Sequence, residues 1–197
     1  MENIDKKMAI FESTLFLIKE HGFQAPMSLI AKNASVAAGT IYHYFPSKDQ
    51  LIWEMFQYNK EKIIKVIKQA LKEDAPYRDK FFKIWMSVYK FYAENTGVLI
   101  FFEQYVNSPY NEKKNPDHLQ DRPLYNFFLE GIKTRQIKSI KADILLTLFI
   151  GSITSAAKLH AFGDIRLEKT DLKNIIEILW QGIASSSHSH NQTKSSK

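Results

Sequence analysis

The sequence predicts an all-α fold of about nine helices, and three observations carry that reading. Apolar residues recur at three- and four-residue spacing along most of the chain. Only 7 glycines and 6 prolines punctuate 197 residues, too few for the frequent turns of an all-β fold. No segment reads as a convincing strand. The one ambiguous stretch is VLIFFEQYV at 98–106, where β propensity suggests a strand and the helical surroundings favour a short helix.

The elements follow in order. Ile4, Met8, Phe11, Leu15 and Ile18 share a helical face and Gly22 follows as a stop, so helix 1 spans about 4–21. Pro26 suits a first helical position; Ile30, Ala31 and Ala34 then make a short second helix, about 27–34. A break at Ser35-Val36 precedes a third, about 37–44, which Pro46 ends. Ser47-Lys48-Asp49-Gln50 has the S-x-x-Q capping-box form and opens a long fourth helix. Its apolar face carries Leu51, Met55, Ile63 and Val66, its other face a series of lysines, and Pro76 marks its end. Residues 78–95 are apolar nearly all round, as a helix in the middle of a bundle would be. A polar loop at 108–123 precedes helices at 124–137, with Gly131 as a weak point, at 142–162 and at 172–183. The tail from 185 to 197, SSSHSHNQTKSSK, has nothing to bury and is expected to be disordered.

Composition bounds the function. There is no cysteine, hence no disulfide or thiolate metal site, which suits a reducing cytoplasm. Met1 leads directly into a charged amphipathic segment without a signal-peptide core, and apolar runs such as 98–102 fall far short of a membrane span. Net charge is +6. Residues 1–50 are balanced, however, with five lysines against five acids, and the excess concentrates in 51–72, where five lysines face two glutamates. Charge alone is therefore weak support for a nucleic-acid partner. No metalloprotease, serine-hydrolase, P-loop or dinucleotide motif occurs, the six histidines are scattered, and neither a cofactor nor a metal site is indicated. His118 and His160 stand isolated, and His188 and His190 fall in the tail.

The pattern at 27–45 is more specific. Two short helices separated by a tight turn form a helix-turn-helix, the second helix being the one that enters a major groove. Ala31 and Ala34 let the helices pack closely, while Ile30, Val36, Ile41 and Phe45 fill the space beneath. Gly39 would let the backbone approach DNA, and Thr40, Tyr42 and His43 offer donors to phosphates or base edges. Phe45 reads as core, and Tyr44 in part.

The run IAKNASVAAGTIYHYFPSKDQL, residues 30–51, resembles the signature of TetR/AcrR-family transcriptional regulators, I-A-x-x-A-G-V-S-x-G-T-x-Y-x-Y/H-F-x-S/T-K-x-x-L. The likeness covers about residues 8–55; beyond it only the architecture is similar. The resemblance implies a helix-turn-helix domain at 1–46 and an effector-binding, dimerising helical domain at 47–184. It also implies a homodimer formed through the last two helices. It places Gly39, Thr40, Tyr42, His43 and Lys48 at DNA, with Lys48 on a phosphate. Ser28 is the nearest hydroxyl donor at the start of helix 2, and Ala38 could touch a thymine methyl. The chain departs from the pattern where the family's glycine is Ser35, its capping serine is Ala37, and Ala25-Pro26-Met27 replaces the usual hydroxyl residue.

For the C-terminal part the expectation is a cavity for an aromatic or apolar effector, bounded by Trp85, Tyr89, Phe102, Tyr105 and Phe128; each ring taken alone also reads as plain core. Apolar residues on more than one face of the last two helices, Leu148 and Ile178 among them, require a second chain. The reading is a ligand-responsive homodimeric DNA-binding regulator, a repressor released from a palindromic double-stranded operator by a small molecule. Two other readings stay open: a helical small-molecule-binding protein whose DNA-reading domain is weak or lost, and a small helical enzyme, for which no residues present themselves.

Overall fold

The computed structural model describes residues 2–111, 122–163 and 165–185, with side chains from residue 5. Most of the expected polar loop, His118, and the tail from 186 lie outside the described residues. The described chain contains nine α-helices: α1 Glu2–His21, α2 Met27–Asn33, α3 Ala38–Tyr44, α4 Lys48–Leu71, α5 Tyr77–Glu94, α6 Thr96–Val106, α7 Pro123–Lys133, α8 Ala142–Phe162 and α9 Lys169–Ile183. Short 3₁₀ turns occupy Gly22–Gln24 and Pro109–Asn111, and Ile137 with Ala184 forms an isolated antiparallel bridge. The ambiguous 98–106 stretch is helical.

Packing groups these helices into two compact units, Met1–Lys62 with Asn95–Pro116, and Ile63–Glu94 with Asp117–Lys197. In the first, α1 packs on α2 and α6 around Ile10, Ile18, Ile30, Ile41, Phe45 and Phe101, all buried. Polar ties fix the angles between them. Ser13 donates to the Ile30 carbonyl at 2.9 Å, Gln104 Nε2 to the Ile18 carbonyl at 3.2 Å, and Lys7 pairs with Glu54 at 2.6 Å. The Lys7 ammonium also lies over the Phe11 and Phe45 rings, at 5.7 and 5.6 Å, so one side chain braces α1 against both α4 and the end of α3.

In the second unit, α8 packs on α5, α7 and α9. Its centre is a ring cluster in which Phe81 and Phe128 meet Phe149 edge-on, at 4.9 and 5.5 Å, and Phe81 reaches Trp180 at 5.3 Å. Trp85 is buried and satisfied, its indole N–H donating to Ser152 Oγ at 2.9 Å. Beyond α7, Lys138 N donates to the Ile183 carbonyl at 2.7 Å and Ser185 N to the Gln136 carbonyl at 3.2 Å, which pins the end of α9.

Several boundaries differ from expectation for local reasons. Gly22 does stop α1, with a left-handed φ of 56°. Pro26 is the extended residue before α2 rather than its first helical position; its carbonyl accepts from Leu29 and Ile30 N–H. The capping box at α4 is half formed: Gln50 N–H donates to Ser47 Oγ at 3.1 Å, but the Gln50 amide turns forward to Glu54 at 2.9 Å. Helix α4 ends at Leu71, ahead of Pro76, and α7 ends at Lys133 rather than 137, because Arg135 adopts φ 57° and the Gly131 carbonyl accepts from Gln136 N–H. Helix α9 begins at Lys169, three residues early, because Glu168 and Asp171 complete a reciprocal capping box.

Gly131 is not a weak point. A Cβ there would run into the Tyr77 hydroxyl and ring, which stack on Phe127 at 4.2 Å and donate to its carbonyl at 3.1 Å. The glycine is what admits the tyrosine. Burial, and then the charge of Glu130, push the Tyr77 hydroxyl pKa well above its ordinary 10.0.

Candidate nucleic-acid interface

The turn between α2 and α3 is built from backbone hydrogen bonds. Ser35 N–H donates to the Lys32 carbonyl at 3.2 Å, and Val36 N–H reaches back to Ala31 at 3.0 Å. To close both bonds, Ser35 takes φ 55°, the left-handed region that glycine enters without cost. Ala37 stands extended at the start of α3 with no side-chain cap, so the first N–H groups of that helix are left to solvent or a ligand. Ile41 and Phe45, with no exposed surface, key the helix into the core formed by Ile10, Ile18 and Ile30.

Burying Ile41 and Phe45 turns the rest of α3 outward. Ala38, Gly39, Tyr42 and His43 are exposed, Tyr42 at 53 %, and Thr40 and Tyr44 are half-buried. Gly39, Tyr42 and His43 stand at i, i+3 and i+4 and share one face. A Cβ at Gly39 would meet nothing within 4 Å, so nothing in the folded chain requires that residue to be small. On α2, Ser28 is exposed one position into the helix.

Lys48 opens α4 but is only partly exposed. Burial lowers its ammonium below the ordinary 10.5, and no carboxylate among the described residues forms an ion pair with it. It borders a groove of about 640 Å³ together with Phe23, Gln24, Gln104, Asn107 and Tyr110, where the Phe23 and Tyr110 rings meet edge-on at 5.2 Å. Sequence reasoning placed Lys48 at a phosphate but missed the groove. Its walls come from residues 23–24 and 104–110, brought together only by the packing of α6 on α1, and no local pattern reports that.

The five rings expected around an effector fall in two units. Trp85, Tyr89 and Phe128 belong to the second: Trp85 and Phe128 have no exposed surface, and Tyr89 stacks on Trp85 at 5.6 Å. Burial raises the Tyr89 hydroxyl pKa. Phe102 and Tyr105 belong to the first, where Phe56 stacks on Tyr105 at 4.3 Å and meets Phe102 edge-on at 5.6 Å. A separate groove of about 560 Å³ in the second unit is lined by Tyr77, Lys80, Phe127 and Glu130, none of them among those five.

Comparison with known proteins gives the arrangement a context. Residues 10–55 match the family model described as bacterial regulatory proteins, tetR family, and residues 76–184 match that of the tetracyclin repressor-like C-terminal domain. An uncharacterized HTH-type transcriptional regulator of Haemophilus influenzae is 28% identical over 175 residues, 88% of this chain and 93% of that protein. The crystal structure of a TetR family transcription regulator from Marinobacter aquaeolei superposes with a TM-score of 0.83 at 20% identity, covering 93% of this chain and 98% of that one. FadR of Bacillus subtilis, solved in complex with stearoyl-CoA, superposes with a TM-score of 0.67 at 24% identity, covering 89% and 98%.

Proposed function

This chain belongs to the TetR family of transcriptional regulators, and on that premise we propose that it is a homodimeric repressor that leaves a palindromic operator when a small apolar or aromatic molecule binds it. The observation that carries the DNA part is the outward face of α3. Gly39, Tyr42 and His43 share that face although nothing in the fold asks for a glycine there, and the start of their helix, at Ala37, has no side-chain cap. A surface that trades side-chain bulk for backbone access suits a duplex, with Ala38 against a base edge, Ser28, Thr40, Tyr42 and His43 donating, and Lys48 on a phosphate.

Helices α8 and α9 support the dimer. Ile144, Leu148, Leu159 and Phe162 are all exposed along one stripe of α8, with the exposed small residues Gly151 and Ser155 between them, and Ile178 on α9 is 72 % exposed. α8 is also long and apolar enough to cross a membrane, at a mean hydropathy of 1.5. Its apolarity divides into a buried stripe (Leu145, Phe149, Ile153, Ala156) and this exposed one, the pattern of a helix that packs on its own subunit and on a partner. Small residues in mid-stripe let two backbones approach.

The effector acts by population shift. Operator and ligand prefer different arrangements of the paired heads, so each must weaken the other by the same factor. An acyl-CoA in a relative of the same fold supports a ligand with a large apolar part. The protein acts in the cytoplasm, where the chromosome is. The test is a salt series of duplex binding with wild type and Lys48→Ala. Loss of the ammonium should flatten the slope of log affinity against log salt by about one per head, with weaker binding to every sequence. An unchanged slope removes Lys48 from the contact.

A further inference from the structure

The groove beside Lys48 takes all of its lining from the first unit: Phe23 and Gln24 ahead of α2, Lys48 and Asp49 at the start of α4, and the chain between Gln104 and Tyr110. Its volume of about 640 Å³ is that of a small-molecule site. One wall is set in advance. Tyr105 Oη donates to the Tyr110 carbonyl at 3.2 Å, Ser108 Oγ to the Tyr105 carbonyl at 2.8 Å, and Asn111 Nδ2 to the Val106 carbonyl at 2.9 Å. These bonds hold the turn after α6 in shape, so an occupant would not have to order it.

The lining says what chemistry would fit. Phe23 and Tyr110 are half-buried and meet edge-on at 5.2 Å, and Phe23 meets buried Phe101 edge-on at 5.9 Å, so the groove has aromatic surface braced from below. The amide donors of its wall are committed elsewhere: Gln104 Nε2 to the Ile18 carbonyl and Asn107 Nδ2 to the Glu103 carbonyl. Asp49 is the one acid in the lining and is already engaged. Lys48 is the one cation, partly buried, and no carboxylate among the described residues forms an ion pair with it. A partly buried ammonium without a counter-ion is unfavourable, as its lowered pKa reports, and an anion in the groove would relieve it.

We propose that this groove binds an aromatic carboxylate, the anion on the Lys48 ammonium and the ring against Phe23 and Tyr110. The inference deepens the ligand-responsive reading above and rests on it, adding one negative charge to the chemistry of the effector. A single cation in the lining calls for a monoanion, and the Asp49 carboxylate opposes a second negative charge. The site also gives the coupling a direct cause. Lys48 is the residue that the reading above sets on a DNA phosphate, and one ammonium cannot serve two anions at full strength. Occupant and duplex therefore weaken each other by the same factor, before any rearrangement of the paired heads.

2-Naphthoate and 2-naphthamide, alike in shape and different by one charge, are the probes, titrated calorimetrically into the full-length protein at low salt. Wild type should bind naphthoate about tenfold more tightly than the amide, the ratio expected when a charge-assisted hydrogen bond replaces a neutral one. In Lys48→Gln the ratio should fall to about one, and Lys48→Arg should keep most of it. Gln24→Glu sets a new carboxylate in the same lining on an exposed side chain; it should weaken naphthoate about three- to tenfold and leave the amide unchanged. Anisotropy with a labelled duplex reads the coupling. Saturating naphthoate should weaken duplex binding about three- to tenfold beyond the same concentration of sodium chloride, and the amide should not. Equal binding of both probes by wild type, a preference that survives Lys48→Gln, or naphthoate binding untouched by Gln24→Glu would overturn the proposal. So would no binding of either probe at millimolar concentration, or duplex affinity indifferent to bound naphthoate. Duplex binding without probe judges the regulator reading separately: a protein that holds no duplex at any salt overturns that reading and the competition with it, whereas normal duplex binding with failed probes overturns the groove site alone.

Discussion

Replacing Gly39 by alanine should make the protein more stable and a poorer DNA binder at once. Gly39 is the second residue of α3, its φ is not in the left-handed region, and an added Cβ would have open space for 4 Å around it. The folded chain loses nothing by the substitution. The unfolded chain loses freedom, and the helix gains a better former, a benefit of about 0.5–1 kcal/mol. For a domain of this size that is a rise in melting temperature of about 1–4 °C. The same methyl group projects from the face shared with Tyr42 and His43, where a duplex backbone or base edge would approach. Even a modest steric cost of about 1–2 kcal/mol per head lowers affinity by about five- to thirtyfold for each head engaged. Thermal unfolding and fluorescence anisotropy with a labelled duplex, on one preparation, measure the two effects. Gly39→Ala that binds DNA as tightly as wild type refutes the placement of Gly39 at the interface. Gly39→Ala that melts lower refutes the claim that the fold leaves the site open.

Other positions carry independent expectations. Ser35→Gly should relieve a left-handed φ of 55° and Ala37→Ser should add the missing cap to α3, each stabilising by about 0.5–1 kcal/mol in thermal unfolding. Gly131→Ala should destabilise by about 1–3 kcal/mol, because the displaced Tyr77 ring gives up its stack on Phe127 and its bond to the Phe127 carbonyl. Leu148→Arg, in mid-stripe on α8, should yield a folded monomer by light scattering and abolish binding to paired half-sites. Burial holds the Lys48 ammonium below 10.5, and a phosphate would raise it again, so DNA binding should take up a proton in the alkaline window just below 10.5. Affinity should then decline as pH rises through that window, and Lys48→Ala should lose that part of the decline.

Helix identity was legible wherever apolar spacing was strong, as in α1, α5 and α8, and even at 98–106, where helical surroundings outweighed β propensity. Ends were less legible, because they depend on individual backbone groups. Gln50 had two partners within reach and took Glu54, and the Glu168–Asp171 box is acidic at both positions where the familiar form begins with a hydroxyl. The two faces of α3 could be read because their residues are close in sequence and one turn of helix sorts them into inward Ile41 and Phe45 and outward Gly39, Tyr42 and His43. The groove beside Lys48 could not, because it needs α6 laid on α1. The clash that makes Gly131 necessary depends on Tyr77, more than fifty positions away in sequence.

The α3 surface, on the reading proposed above, recognises a duplex by its sequence. The direct test is anisotropy of the purified protein with labelled DNA from upstream of its own coding sequence against a scrambled duplex of equal length and composition, across a salt series. Affinity for the native duplex should exceed that for the scrambled one by about a thousandfold or more at physiological salt, with two chains bound per site and a steep salt slope on both. Equal affinity for the two duplexes when every stretch of the upstream region has been tried, or no salt-sensitive binding at all, would contradict it.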